Sequence, residues 1–146
     1  MIKKVIYLYF KTTDLITSYI KPLLLFYIRF WMAQIFWYSG LAKVNSWYST
    51  IYLFKEEYKI PFLPPEIAAY LATAAELTCP ILLFFGVFTR LTTIPLLIMT
   101  AMIQFLYLDL IDHAYWALLL SIILVSGPGK ISIDYFLVKK NFFKAK

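Results

Sequence analysis

Any chemistry in this chain would turn on Glu76. It sits in the middle of Glu66–Arg90, EIAAYLATAAELTCPILLFFGVFTR, a run that is otherwise apolar almost throughout. A helix from Glu66 to Gly86 is about 31 Å long, close to the thickness of a bilayer's hydrocarbon core. Glu76 then falls near the midplane, where a charge is expensive and marks a functional or a tightly paired site. Pro80 follows one turn later. It has no N–H to give to the carbonyl four residues back, which is that of Glu76 itself. The span therefore holds an acid beside a freed backbone acceptor.

The partner to expect is a cation at the same depth. Arg29 lies eight residues inward from Lys21, and Glu76 ten residues inward from Gly86. Antiparallel spans would bring the two to one level, so an Arg29–Glu76 pair is expected. Two roles fit it. It fixes helix register, or it forms a site for an anionic or quinone-like ligand with Glu76 as proton relay. Lys43, Asp109, Asp112 and His113 fall at the outer membrane boundary. Histidine titrates near neutral pH and is the commonest metal ligand. One histidine with flanking aspartates is still no metal set, and a hydrogen-bonded interfacial residue fits it as well. It cannot supply both axial ligands of a haem, and copper would want more sulfur or imidazole than one Cys and one His offer. No metal or haem is therefore expected.

Two further groups read as structural. Arg90 and Asp134 both lie at the inner side, and an Arg90–Asp134 ion pair would tie the second span to the fourth. Cys79 beside Pro80 reads as a small buried hydrophobe. Being the single cysteine, it excludes an intrachain disulfide and a CxxC pair. Four-helix dithiol–quinone chemistry therefore cannot be complete in this chain. There is no P-loop, GxGxxG or HExxH motif, and catalytic residues stay unassigned.

The elements that must position these groups follow from composition. Of 146 residues, 62% are hydrophobic and 20% aromatic, and mean hydropathy is +0.75. Soluble domains are about 45–50% apolar, so a single soluble domain is disfavoured. Four spans of about 20 residues use most of the chain. Residues 1–21 carry Lys3, Lys4, Lys11 and Lys21 with Ile2, Ile6, Tyr9 and Phe10 at roughly helical spacing. They read as a basic amphipathic segment on the membrane surface. They make a poor signal peptide, because Lys11 and Asp14 interrupt the apolar patches. Span 1 is expected from about Pro22 to Leu41, with proline as a start signal. Arg29, Ala33, Phe36, Gly40 and Lys43 share one face of it, turned toward other helices. Residues 42–65 form a long connection in which Trp47, Ile51, Phe54 and Tyr58 predict a short interfacial helix. Span 2 is the Glu76 run. Span 3 runs from about Leu91 to Leu108, with Thr93, Thr100, Gln104 and Tyr107 on a polar stripe. Span 4 runs from about Ile111 to Ser126 and ends at Gly127-Pro128-Gly129. A membrane domain over residues 22–136 and a basic tail over 137–146 complete the organisation.

The net charge of +6 would suggest nucleic acid in a soluble protein. Here cations flank apolar spans. Lys3, Lys4, Lys11, Lys21, Arg90, Lys130, Lys139, Lys140, Lys144 and Lys146 fall on one side, against Lys43, Lys55 and Lys59 on the other. Both termini are then expected in the cytoplasm.

The pieces FWYSGLAKV (Phe36–Val44), LPPEIAAYLATAAEL (Leu63–Leu77), GVFTRL (Gly86–Leu91), the Gln104 region, DHAYW (Asp112–Trp116) and GPGKISID (Gly127–Asp134) occur in this order over residues 25–135. In them the chain resembles the DoxX family of small four-helix membrane proteins. The resemblance places Lys43, Glu76, Arg90, Gln104, His113 and Asp134 on the family's polar positions. It implies an all-α integral membrane four-helix bundle, with an interfacial amphipathic helix in the first outer loop, in the bacterial inner membrane. The family is functionally broad. One branch is similar to the small membrane subunit of thiosulfate–quinone oxidoreductase, and another belongs to superoxide and thiol redox complexes. A third accompanies gene clusters for modified copper-binding peptides, and this chain looks most like that compact type. The expected function is a membrane component of a redox or metal/thiol stress system, with quinone as the candidate cofactor and a protein partner or a second copy beside it. An oxidoreductase subunit without a complete catalytic motif of its own is the enzymatic form. The alternatives are a carrier of a small lipophilic or anionic ligand, and a membrane scaffold for a partner protein.

Overall fold

The computed structural model describes residues 2–107 and 111–144, and among these it is all-α. Helix α1 runs from Ile2 to Asn45, 44 residues that span about 66 Å. It passes through Pro22 rather than starting there. The proline leaves the Ser18 carbonyl without its backbone donor, yet the helix continues past it into Leu23, Leu24 and Leu25.

α2 (Trp47–Tyr52) continues directly into a π-helical segment, Leu53–Tyr58. This is the helix expected in the first connection, and its apolar stripe is not idle. Phe54, 3% exposed, buries against Ala68 and Ala69, with Trp47, Tyr58 and Ile60 around it. Lys59 and Phe62 adopt left-handed backbone where the chain turns back. Pro65 then opens α3, Pro65–Phe85, at the position where a missing N–H costs least.

Gly86 ends α3 in a left-handed conformation, φ 69°, and a three-residue link leads to α4, Thr89–Met102. α4 also runs on into a π-helical segment, Ile103–Tyr107. α5 covers Ile111–Ser126. After the Gly-Pro-Gly turn, α6 runs from Ile133 to Lys144, where no helix was expected. Asp109 lies outside the described residues.

α1 packs against α3 and α5, and α4 against α3 and α5. The core between them takes Ile28, Met32 and Phe36 from α1, Cys79 and Leu83 from α3, Leu96 from α4, and Leu120 and Ile123 from α5. Small residues let α1 and α3 approach. A Cβ added at Gly40 would lie 3.1 Å from the Glu76 Cβ. Arg29, Ala33, Phe36 and Gly40 are all buried, as their common helical face requires.

Among the described residues one helix, Pro65–Phe85, is long and apolar enough to cross a membrane by itself. Thr89–Phe105 and Ile111–Ser126 are shorter apolar helices. Four spans are expected, the fourth the shortest; among the described residues one helix has the length and composition of a span, and the others are shorter or, in α1, carry charge.

Candidate functional site

Glu76 is buried in the middle of α3, and its partner is Lys43, not Arg29. The Lys43 ammonium lies 2.7 Å from Oε2, with the two side chains 15% and 6% exposed. It donates to Oε1 at 2.9 Å and to the Ser39 hydroxyl at 2.9 Å. Ser39 Oγ in turn donates to Oε1 at 3.2 Å. Ser39 and Lys43 are one turn apart on α1, so one helix face delivers both donors to one carboxylate. Ser39 was not read from the sequence. Its position four residues before Lys43 was the available signal.

The register explains why Arg29 is elsewhere. Gly40 meets Glu76 and Leu77 across the α1–α3 contact. Arg29 lies eleven residues down the same helix, about 16 Å away along its axis. The expected Arg29–Glu76 pair took Lys21 as the start of the span, but α1 does not begin there. Arg29 is 1% exposed and packs at the other end of the bundle. It donates to the Ile131 carbonyl and stacks over Phe26, with Asp134 supplying negative charge nearby. Its Nη1 lies where Gly86 has no Cβ.

Asp134 is a cap. Its Oδ1 accepts from the Phe88 N–H, and its Oδ2 from the N–H and the hydroxyl of Thr89, all at 2.9 Å. Its own N–H donates to the Gly86 carbonyl at 3.0 Å. With both carboxylate oxygens committed to the start of α4, the expected Arg90–Asp134 ion pair does not form. Arg90 reaches the Val125 carbonyl instead, at 3.4 Å. Asp134→Ala should cost about 1–2 kcal/mol, the range of a lost helix cap. Asp134→Asn should recover part of that. Thermal unfolding of the three proteins in one detergent checks the order.

Above the Lys43–Glu76 pair lies a cleft lined by Phe54, Tyr58, Ile60, Ala72, Met99, Met102 and Ile103. The cavity is about 60 Å³, room for a few waters and below the usual size of small-ligand sites. Both π-helical segments line it, and they touch each other across it. Such segments are rare and concentrate at functional sites. Trp47 against Tyr70, with ring centroids 4.5 Å apart, holds the covering segment to α3. Burial, with the carboxylates of Glu76 and Glu57, holds the Tyr58 hydroxyl above the usual phenol range. It stays a neutral donor at physiological pH.

Gln104 and His113 are not among the cleft's lining residues. Gln104 is half-buried on the second π-helical segment. His113 is half-buried on α5 and packs against Trp116, ring centroids 4.6 Å apart. The threonines of the α4 stripe, Thr93 and Thr100, bond to carbonyls four residues back in their own helix. Cys79 is buried in the core. No cluster of three His, Cys, Asp or Glu among the described residues could hold a metal. The arrangement can therefore offer an ammonium donor, a carboxylate and a phenol to a ligand whose remaining surface is apolar.

Comparison with known proteins bears on what such a site belongs to. The family model for DoxX matches residues 24–108. An uncharacterized protein of Haemophilus influenzae is 32% identical, over 77% of this chain and 82% of its own length. No solved structure matches. The matched stretch contains Arg29, Lys43, Glu76, Arg90 and Gln104. It ends before His113 and Asp134 and begins after the first 23 residues.

Proposed function

The chain belongs to the DoxX family, and on that premise we propose that it is a multi-pass protein of the bacterial inner membrane whose Lys43–Glu76 cleft takes the head of a quinone-like lipophilic ligand. Four helices would cross: α1 from Pro22, then α3, α4 and α5. Support comes from the outer surface of the bundle, where Tyr27, Trp31, Leu71, Phe85, Ile98 and Leu118 are exposed. In water such a surface would be a liability. α5 rises only about 24 Å, so a locally thinner bilayer or flanking aromatic anchors must take up the mismatch. The lysines of the N-terminal part of α1, Arg90 and Lys130 gather at the end opposite Lys55 and Lys59. By the positive-inside rule that end is cytoplasmic, with both termini.

The carrying observation is the open cleft over a buried ion pair. Burying two charges costs several kcal/mol per ion before their attraction returns it, and a cleft beside the pair leaves its polar atoms within reach of a ligand's head group. Here the Lys43–Glu76 pair meets apolar and aromatic walls, Phe54, Tyr58, Met99 and Met102 among them, which would part to admit a ring. Lys43 would donate to a carbonyl oxygen of the ligand, Glu76 would hold or release a proton, and Tyr58 would offer a second donor. A quinone supplies the capacity to carry electrons with protons. The chain's own residues bind and orient it and govern the proton. Electrons would come from a partner, which fits a component of a redox or thiol stress system.

The test is titration of the full chain in detergent with a short-tailed ubiquinone analogue, read by quenching of tryptophan fluorescence. Lys43→Met/Glu76→Met, which removes both charges at similar volume, should weaken binding at least tenfold while the bundle stays folded. Equal binding by that folded variant would reject the site.

A further inference from the structure

We infer that the N-terminal arm of α1, Ile2–Lys21, is a second membrane-contact element that lies along the anionic surface of the inner leaflet, hinged at Pro22. The inference rests on the membrane placement above but on none of the ligand chemistry.

The arm packs on almost nothing. From Ile2 to Leu24 only Thr13 and Pro22 are even half-buried. Its two sides differ in a way that continues the bundle. Stepping by seven from the core, Met32 and Leu25 lead to Ser18, Lys11 and Lys4, so the bundle-facing side becomes cationic as soon as the bundle ends. The outward side stays apolar. Leu23 leads to Ile16, Tyr9 and Ile2, and Tyr27 leads to Ile20, Thr13 and Ile6. Leu23 and Tyr27 are exposed on the surface that meets lipid, and the same stripe continues to the first turn, interrupted by Thr12 and Thr13 alone. If the arm stood straight out of the membrane, that stripe would face water for about 30 Å.

Pro22 removes the conflict. It lies on the bundle-facing side, next to Leu25, Ser126 and Gly129. Its ring clashes with the carbonyl four residues back, so a helix opens on the proline side and bends away from it. A bend at Pro22 would therefore be away from the bundle. It turns the outward stripe up toward the acyl chains and leaves Lys4 and Lys11 facing the headgroups and the cytoplasm. This is the disposition of an interfacial helix with a basic polar face. Pairing of two arms through the same stripe is disfavoured by charge. Each arm carries Lys3, Lys4, Lys11 and Lys21 against Asp14 alone, so parallel copies repel.

The experiment uses the full chain with Cys79→Ala and one introduced cysteine at Ile16, at Lys11 or at Leu118 on α5, each carrying an environment-sensitive fluorophore. The proteins are reconstituted in phosphatidylcholine vesicles, with or without phosphatidylglycerol, containing brominated acyl chains. The label at 118 should be quenched in both vesicle types, which reports bundle insertion. The label at 16 should be quenched severalfold more than that at 11, and more strongly with phosphatidylglycerol present. Quenching at 118 without quenching at 16 overturns the inference and leaves the membrane placement standing. Loss of quenching at 118 overturns the placement itself. Excimer formation between labels at 16 on two copies, without bromine quenching, assigns the stripe to self-association and overturns the lipid assignment.

Discussion

Lys43→Met is expected to be among the most damaging single substitutions in this chain, at about 3–5 kcal/mol. It leaves the Glu76 carboxylate buried with only the Ser39 hydroxyl to compensate it. Glu76→Gln should cost less, because a neutral amide tolerates the site and can still accept from Lys43. The informative variant is Lys43→Met with Glu76→Met. If the penalty is that of a stranded charge, the double replacement should recover most of the loss, since swapping a buried pair for apolar residues of like volume is often neutral or better. Thermal unfolding of wild type, Lys43→Met, Glu76→Met and the double in one detergent measures this coupling. Additive losses would mean that the pair is not energetically joined.

Gly86→Ala should be nearly as severe, for reasons at the opposite end of the bundle. The position has φ 69°, where a residue with a Cβ pays about 1–3 kcal/mol in backbone strain. The new methyl would also collide with the Arg29 guanidinium and with Ser132. Arg29→Met should relieve the collision but not the strain. Gly86→Ala is therefore predicted to be partly rescued in an Arg29→Met background, relative to that background's own stability. Absence of any rescue would show that Arg29 does not press on this turn as described.

The contrast between these ends shows what was legible in the sequence. Glu76 announced itself because a lone carboxylate in a long apolar run must be paired, and the helical face Arg29–Ala33–Phe36–Gly40–Lys43 correctly carried its partner. Which cation on that face it takes was not legible. That depended on the depth at which α1 enters the bundle, and Pro22 gave a false start because α1 runs through it. Asp134 likewise read as an ion-pair partner of Arg90. Capping was hidden because the helix it caps begins more than forty residues earlier in the chain. The apolar stripe Trp47–Phe54–Tyr58 predicted a helix, but not that it would roof the Glu76 site. The π-helical turns that bring it there depend on tertiary packing and have no local signature.

Whether the Lys43–Glu76 cleft holds a ligand decides the function proposed for this chain. The most direct measurement is native mass spectrometry of the full chain, released from bacterial membranes in mild detergent, for wild type beside the folded Lys43→Met/Glu76→Met variant. Wild type should carry an added mass matching a quinone, and the variant should have lost it. A wild-type spectrum showing only the bare chain, or the same added mass on both proteins, would contradict the assignment and leave the pair as a register pin.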